Sequence, residues 1–308
     1  SAVVAKSNSD AKLSIKNVKI YGTDVSADKA NTVAAGILAV HNSGGVAVIN
    51  NCYIDKDTTV SSTSTASGFV GDISGSESAL MADGIKSFAK VELRSSADAV
   101  AAAGAIAKLS AAALNNVQLR NFKVFGTVEG NSSVGGMIGL IKGIGNYNEM
   151  TAVISDSICS AQIKTDSTNK DAGVILGSVE NDKSVNSDNI NKLVTDTVIS
   201  TYYGNVPAFG ASTGIKNANV VDMDKPNGAE IKASVDSISS FGETELTVSN
   251  VPAVKGYSFD GTIGWTSEAN DRISVVSSTE SALKVDVKRM ADISMVAYYV
   301  LDSDSDVR

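Results

Sequence analysis

His41 is the only histidine in 308 residues, and Cys52 and Cys159 are the only cysteines. Any hydrolytic triad, reactive thiol or Cys/His metal centre therefore has to draw on these positions. One histidine suffices for a triad, yet no G-x-S-x-G elbow accompanies it and nothing in the sequence sets a particular serine and aspartate at its side. His41 lies just past the first of a series of glycine motifs, where a solvent-facing turn is expected, and it receives no catalytic assignment. Zinc needs its ligands gathered at one point, whereas Cys52 and Cys159 fall about three repeat units apart, Cys52 in step with Val18 and Val117 and Cys159 with Ile199. Both read as small core hydrophobes.

Gly143-Ile144-Gly145-Asn146-Tyr147-Asn148 has the glycines of a nucleotide-binding loop. No helical pattern follows it, so the N-terminal dipole that such loops use is missing, and it reads as a loop between repeats. Polysaccharide cleavage needs paired carboxylates, or carboxylates with calcium and Arg or Lys. Asp156 and Asp196 are stacked neighbours, but within a column of Asn that reads as structural. Asp55-Lys56-Asp57, Asp222-Met223-Asp224 and the tail Asp302-Ser303-Asp304-Ser305-Asp306 lack the spaced ligands and glycine of an EF-hand loop and read as solvated turns. The chain is thus expected to hold no catalytic, cofactor-binding or metal residue and to need no cofactor. No motif names the residues that touch a partner.

The elements that hold these residues announce themselves as a repeat. A small-residue and aliphatic motif recurs as Ala35-Gly36-Ile37-Leu38-Ala39, Ser67-Gly68-Phe69-Val70-Gly71, Ala103-Gly104-Ala105-Ile106-Ala107, Gly135-Gly136-Met137-Ile138-Gly139 and Ala172-Gly173-Val174-Ile175-Leu176, with a degenerate copy at Ala208-Phe209-Gly210-Ala211. The five glycines 36, 68, 104, 136 and 173 are 32, 36, 32 and 37 residues apart. A second motif, aliphatic-x-Asn/Asp-x-x-aliphatic, runs in phase from Ile15, Ile49, Leu114, Ile154, Val194 and Ile215, with a weaker copy at Ile85. Two-residue alternation and β-branched side chains make both motifs strands. With a third short strand, as in Gly126-Thr127-Val128-Glu129 or Gln162-Ile163-Lys164, three strands per repeat describe one coil of a parallel β-helix.

Equivalent residues of successive coils stack about 4.8 Å apart. The expected inner columns are Ile15, Ile49, Ile85, Leu114, Ile154, Val194 and Ile215, and Ile20, Ile54, Leu119, Cys159, Ile199 and Val220. Between them an Asn ladder of Asn17, Asn51, Ser87, Asn116, Asp156, Asp196 and Asn217 would hydrogen-bond coil to coil. About six coils are expected, right-handed by the parallel crossover rule.

Composition agrees with thin repeated layers: 43% of residues are hydrophobic but only 5% aromatic, with 26 Gly and 3 Pro. A net charge of -8, with 26 scattered Lys and Arg, argues against nucleic acid. The longest apolar run, 134–144, is too short and glycine-broken to span a membrane. The absence of a signal-peptide pattern and of an initiator Met is read as a mature or excised piece of a larger polypeptide.

The Gly-Gly-aliphatic-aliphatic-Gly core at Gly135-Gly136-Met137-Ile138-Gly139, alternating with Ile-x-Asn strands, resembles the GLUG-type repeats of bacterial surface proteins, including stalks upstream of immunoglobulin A peptidases. The resemblance covers about residues 12–222 and implies an extracellular or cell-surface location.

Past Pro226-Asn227-Gly228 the period changes. Short alternating segments at 231–235, 245–248, 257–265, 273–276, 283–287 and 293–301 indicate a β-sandwich. Leu246-x-Val248, Trp265-x-Ser267 and Ile273-x-Val275 are similar to bacterial immunoglobulin-like domains, with Trp265 packed between the sheets. The expected organisation is an all-β chain, a right-handed parallel β-helix over 1–225 and an immunoglobulin-like sandwich over 226–308.

The functional expectation is a non-catalytic adhesin-like or stalk module that presents loops, such as 56–65 and 143–150, or the terminal domain to a host glycan or extracellular protein. A pure spacer and a polysaccharide-active enzyme are the alternatives. No nucleic acid and no membrane span are expected, and the chain is taken as a monomer or part of a larger polypeptide.

Overall fold

A computed structural model describes residues 1–8, 11–42, 44–75, 77–143, 153–180, 192–199, 206–213, 215, 220–222, 232–234, 237–249, 251, 257–267, 271–289 and 295–302. The chain divides into two compact units, Ser1–Asp222 and Met223–Arg308. Statements of absence below concern the described residues.

The first unit is a parallel β-solenoid of about five turns. Each coil contributes to four sheets rather than three. The small-residue face carries Val33–Ala35, Thr65–Ser67, Ala101–Ala103, Ser133–Gly135 and Ala172–Gly173. An aliphatic face follows, with Val4–Ser7, Leu38–His41, Val70–Ile73, Ile106–Ser110, Ile138–Lys142 and Leu176–Glu180. Next comes a kinked face, whose strands include Lys12–Lys16, Val46–Asn50, Ala79–Ser87, Val117–Val124 and Ile154–Ser155. A short face closes the coil with Asp24–Ala27, Thr59–Ser62, Lys90–Leu93, Thr127–Glu129 and Gln162–Lys164.

The glycine motif is thus two strands, not one, with a Gly-aliphatic bend between them. A Cβ on Gly36 would lie 2.1 Å from the Gly68 carbonyl oxygen, one on Gly68 2.5 Å from that of Gly104, and one on Gly104 2.4 Å from that of Gly136. No side chain fits where consecutive coils approach this closely. At the fifth copy the register slips by one from expectation: Gly135 pairs with Gly173 and Ile138 with Leu176, so Val174 rather than Gly173 follows Gly136 in the column.

The bend also brings the outer sides of the small-residue and aliphatic faces together. All three residues of Thr65–Ser67, Ala101–Ala103 and Ser133–Gly135 are buried. A satellite core gathers Ala101, Ala103, Ala107 and Leu140. Small residues dominate this motif because both sides of the sheet are covered.

On the kinked face the observed column is Ile15, Ile49, Ala82, Leu119, Ile154 and Val194. Ile85 and Leu114 do not belong to it. The next inner column is Ile20, Ile54, Ser87, Val124, Cys159, Ile199 and Asp222, so Val124 stands where Leu119 was expected and Asp222 where Val220 was. The true fourth copy is Leu119-Arg120-Asn121-Phe122-Lys123-Val124. The adjacent Leu114-Asn115-Asn116 matches the same pattern but lies in a 3-10 helix, Ala111–Asn116.

Between the two columns sit Asn17, Asn51, Gly84, Asn121, Asp156 and Asp196, with φ of 58°, 53°, 69°, 51°, 49° and 45°. The column is therefore set by backbone conformation. Each residue takes the left-handed region, which Gly, Asn and Asp tolerate best, and so kinks the strand at the same place in each of these coils. Ser87 and Asn116 lie elsewhere, and Asn217 falls outside the described residues. Phe69 and Phe122 fill the interior edge to face, with ring centroids 5.0 Å apart.

The second unit is antiparallel. Lys232–Ala233, Gly242–Ser249, Ala282–Val287 and Ile273–Ser278 form one sheet in that order. Tyr257–Phe259 pairs with Tyr299–Leu301, and Trp265–Ser267 with Met295–Ala297. Trp265 is buried with Leu246, Val248, Ile273, Leu283, Val285 and Val287, and its indole N–H donates to the Thr279 carbonyl at 3.1 Å. Pro226-Asn227-Gly228 lies outside the described residues.

Candidate functional site on the short face

The residues singled out for chemistry are held apart and mostly enclosed. His41 is fully buried rather than on a solvent-facing turn. It occupies the inner column of Ser7, Ile73, Leu109, Ile141 and Val179. Its Nε2 lies 3.0 Å from the Ala79 carbonyl oxygen, and burial lowers its pKa, opposed by backbone hydrogen bonding. Two-residue alternation from Leu38 would have pointed position 41 outward. The strand reverses that phase, since Leu38 and Ala39 are both buried and Val40 is half-buried.

Cys52 and Cys159 are free and buried. Burial raises the Cys52 thiol above its ordinary value and pushes Cys159 up to about 12, which leaves both protonated and unreactive at neutral pH. Cys52 stands level with Val18 and Ile85, not Val117. Asp156 and Asp196 do stack, and each sits in the left-handed kink. Among the described residues no group of three or more His, Cys, Asp or Glu can hold a metal ion, and no helix is long and apolar enough to cross a membrane.

Of the two loops expected to meet a partner, 144–150 falls outside the described residues. The other, 56–65, is largely coil wall: Thr59–Ser62 is a strand, and Thr58, Ser61, Ser62, Ser64 and Thr65 are buried. Ser62 explains this use of polar residues. Its hydroxyl donates to the Thr32 carbonyl and accepts from the backbone N–H groups of Ser64 and Thr65, so it closes a corner instead of marking a loop.

Among the described residues, an open concavity lies at the far end of the short face. The connection 130–132 is short, while its neighbours 94–100 and 165–171 are long, so the middle coil forms a floor between two raised walls. The resulting cleft has a volume of about 540 Å³ and is lined by Glu92, Arg94, Ser96, Glu129, Asn131, Lys164 and Thr165, among others. Register aligns the charged residues: Glu92 is opposite Glu129, and Glu129 opposite Lys164. Lys90 pairs with Glu92; that hydrogen bond, with the carboxylate's charge, holds the Lys90 ammonium above its ordinary value. Arg94 pairs with Asp28 and donates to the Ser61 hydroxyl at 2.6 Å. Asn131 Oδ1 accepts from the backbone N–H of Asp166 at 2.9 Å, which ties the floor to one wall.

Paired carboxylates beside lysine and arginine can orient hydroxyl groups of a polar ligand. Lys90-Val91-Glu92 is a further copy of the third strand and aligns directly with Thr127-Val128-Glu129 and Gln162-Ile163-Lys164. That alignment was the available signal for the cleft. No protein-family model, curated protein or solved structure matches this chain.

Proposed function

We propose that this chain is a non-catalytic, adhesin-like or stalk module of a bacterial surface protein, exposed outside the cell, that meets a host glycan or extracellular protein. In this reading the solenoid is right-handed and of GLUG type, and the antiparallel unit is an immunoglobulin-like sandwich. The handedness rests on the parallel crossover rule, the family on the Gly-Gly-Met-Ile-Gly core with its Ile-x-Asn strands, and the sandwich on the short antiparallel strands packed around Trp265.

The observation that carries a binding role is the cleft over three successive coils, where Glu92, Glu129 and Lys164 meet solvent while His41 and both cysteines are enclosed. Hydroxyl-rich ligands suit such a surface, because carboxylate acceptors and ammonium donors satisfy both ends of a sugar hydroxyl's hydrogen bonding. The same two glutamates favour the enzyme alternative, since paired carboxylates are the minimum equipment for glycoside hydrolysis.

The test is to titrate the full chain against neutral and charged glycans and matrix proteins by calorimetry, with chromatography for products. Saturable binding without product release, weakened by Lys164→Gln, is the expected result. Turnover that disappears in Glu92→Gln or Glu129→Gln would replace the reading with a polysaccharide-active enzyme. Folded protein that binds nothing would leave a spacer.

A further inference from the structure

Lys19, Tyr53, Lys86 and Lys123 are scattered through 105 residues of sequence, but the coil register stacks them in one outward column. Two positions further on, just past each strand's end, the chain reaches Tyr21, Asp55, Phe88 and Phe125. Tyr21, Tyr53, Phe88 and Phe125 then touch in succession, with ring centroids 5.7, 6.1 and 5.2 Å apart. A contiguous aromatic ridge therefore crosses four coils at the corner between the kinked and short faces. Tyr21 is 59% exposed, and the other three rings are half-buried. The Lys86 ammonium lies 5.1 Å from the Phe88 ring centroid, a cation–π distance.

Stacked rings stabilise neighbouring strands by themselves. Stacking alone does not require rings left open to water in a chain with only 5% aromatic residues. The charge is also set against the background. The chain carries a net charge of -8, so an anion is repelled by most of the surface and favoured where cations are concentrated. Asp55, an acid within the ridge, is already hydrogen-bonded by the chain: its carboxylate accepts from the Gly22 backbone N–H at 3.1 Å and the Thr58 hydroxyl at 2.6 Å.

We propose that this ridge docks a strand of acidic polysaccharide laid along the stack of coils, with sugar rings against Tyr21, Tyr53, Phe88 and Phe125 and carboxylate or sulfate groups on Lys19, Lys86 and Lys123. The inference deepens the glycan reading above and rests on it, adding a ligand class and a second surface distinct from the cleft. A periodic ligand suits this surface because the ridge repeats at every coil, about 4.8 Å. Rings supply stacking to the apolar faces of sugars, and the ammonium groups supply charge selection that weakens with salt.

The full chain is titrated with polygalacturonate, with uncharged dextran and with polyglutamate as a charged chain without sugar. Polygalacturonate is expected to bind, dextran and polyglutamate at least about tenfold more weakly, with affinity falling as salt rises. Lys86→Gln combined with Lys123→Gln, and separately Tyr21→Ala, should each cost about tenfold in a chain that circular dichroism shows still folded. Lys142→Gln, an exposed position on the aliphatic face that belongs to neither the ridge nor the cleft, should leave polygalacturonate binding as it was. Equal binding of polyglutamate, or indifference to Tyr21→Ala, overturns the proposal by reducing the ridge to plain charge attraction. Glycan binding lost only in the cleft variants overturns the ridge and leaves the glycan reading standing, whereas a folded chain that binds no glycan overturns both.

Discussion

The two units solve the same problem, burying one side of a β-strand, in different ways. In the solenoid each strand pairs with its equivalent in neighbouring coils, so one interior position is a column such as Ile15, Ile49, Ala82, Leu119, Ile154 and Val194, and most of the core is one continuous cluster with small satellites beside it. In the second unit antiparallel strands close on a small cluster around Trp265. The difference teaches that solenoid positions are specified by their neighbours one coil away, while the second unit depends on a few large side chains. Stability along a stack is close to a sum of coil and interface terms; the small core of the antiparallel unit has no such redundancy.

The largest expected effect comes from Ile154→Asp. Position 154 is fully buried between Leu119 and Val194, and an uncompensated carboxylate there should cost roughly 5 kcal/mol. Calorimetry should show the solenoid transition lost or sharply lowered and the second unit's transition retained. If both fall together, the two units do not unfold separately and the comparison breaks.

Trp265→Ala is the converse experiment. It removes the central side chain of the small core and should cost about 3–5 kcal/mol, read as a lowered transition of the second unit alone. Gly104→Val is next: its Cβ would sit 2.3 Å from a methyl of Val124 and 2.4 Å from the Gly136 carbonyl oxygen, so about 2–3 kcal/mol of solenoid stability should go. In the second unit Gly261 has open space around it, and Gly261→Ala should change the melting temperature little.

Asn121→Val tests the kink column. With φ at 51°, a β-branched residue should cost about 1–3 kcal/mol, whereas Asn121→Gly should be tolerated. An equal loss in both variants would mean that the Asn side chain, not the backbone conformation, explains the column.

The smallest effect concerns pH. Burial lowers the His41 pKa below its unfolded value, so the unfolded state binds the extra proton first on acidification. The histidine's contribution is complete above an unfolded pKa of about 6.5 and is lost as pH falls from there towards the folded value. His41→Leu, matching Leu109 in its column, should flatten the solenoid's stability between pH 7 and 5. An unchanged slope would assign the acid response to other groups.

Much of this fold can be read from the chain because a solenoid repeats its instructions. The glycine motif, the Asn-containing bend and the apolar columns each recur, so one copy corroborates another. Legibility fails where two candidate copies lie close together. Leu114-Asn115-Asn116-Val117 and Leu119-Arg120-Asn121-Phe122 both fit the pattern, and only the register Ala82 to Leu119 decides for the second. It fails again at Ser/Thr-rich stretches such as 56–65, where loop composition proves to be wall, because hydroxyls there serve backbone groups at corners.

By itself the sequence determined strand period, the existence of coils, the inward fate of Cys52, Cys159 and Trp265, and the change of pattern after the solenoid. These follow from local residue types, which act through alternation, backbone preference and hydrophobicity. What only the tertiary structure decided is which residues share a surface. Glu92, Glu129 and Lys164, or Lys19, Lys86 and Lys123, become neighbours through a register of whole coils. One residue more or less in a connection slides every later position along its column, and the length of each connection is settled by packing rather than by the residues it contains.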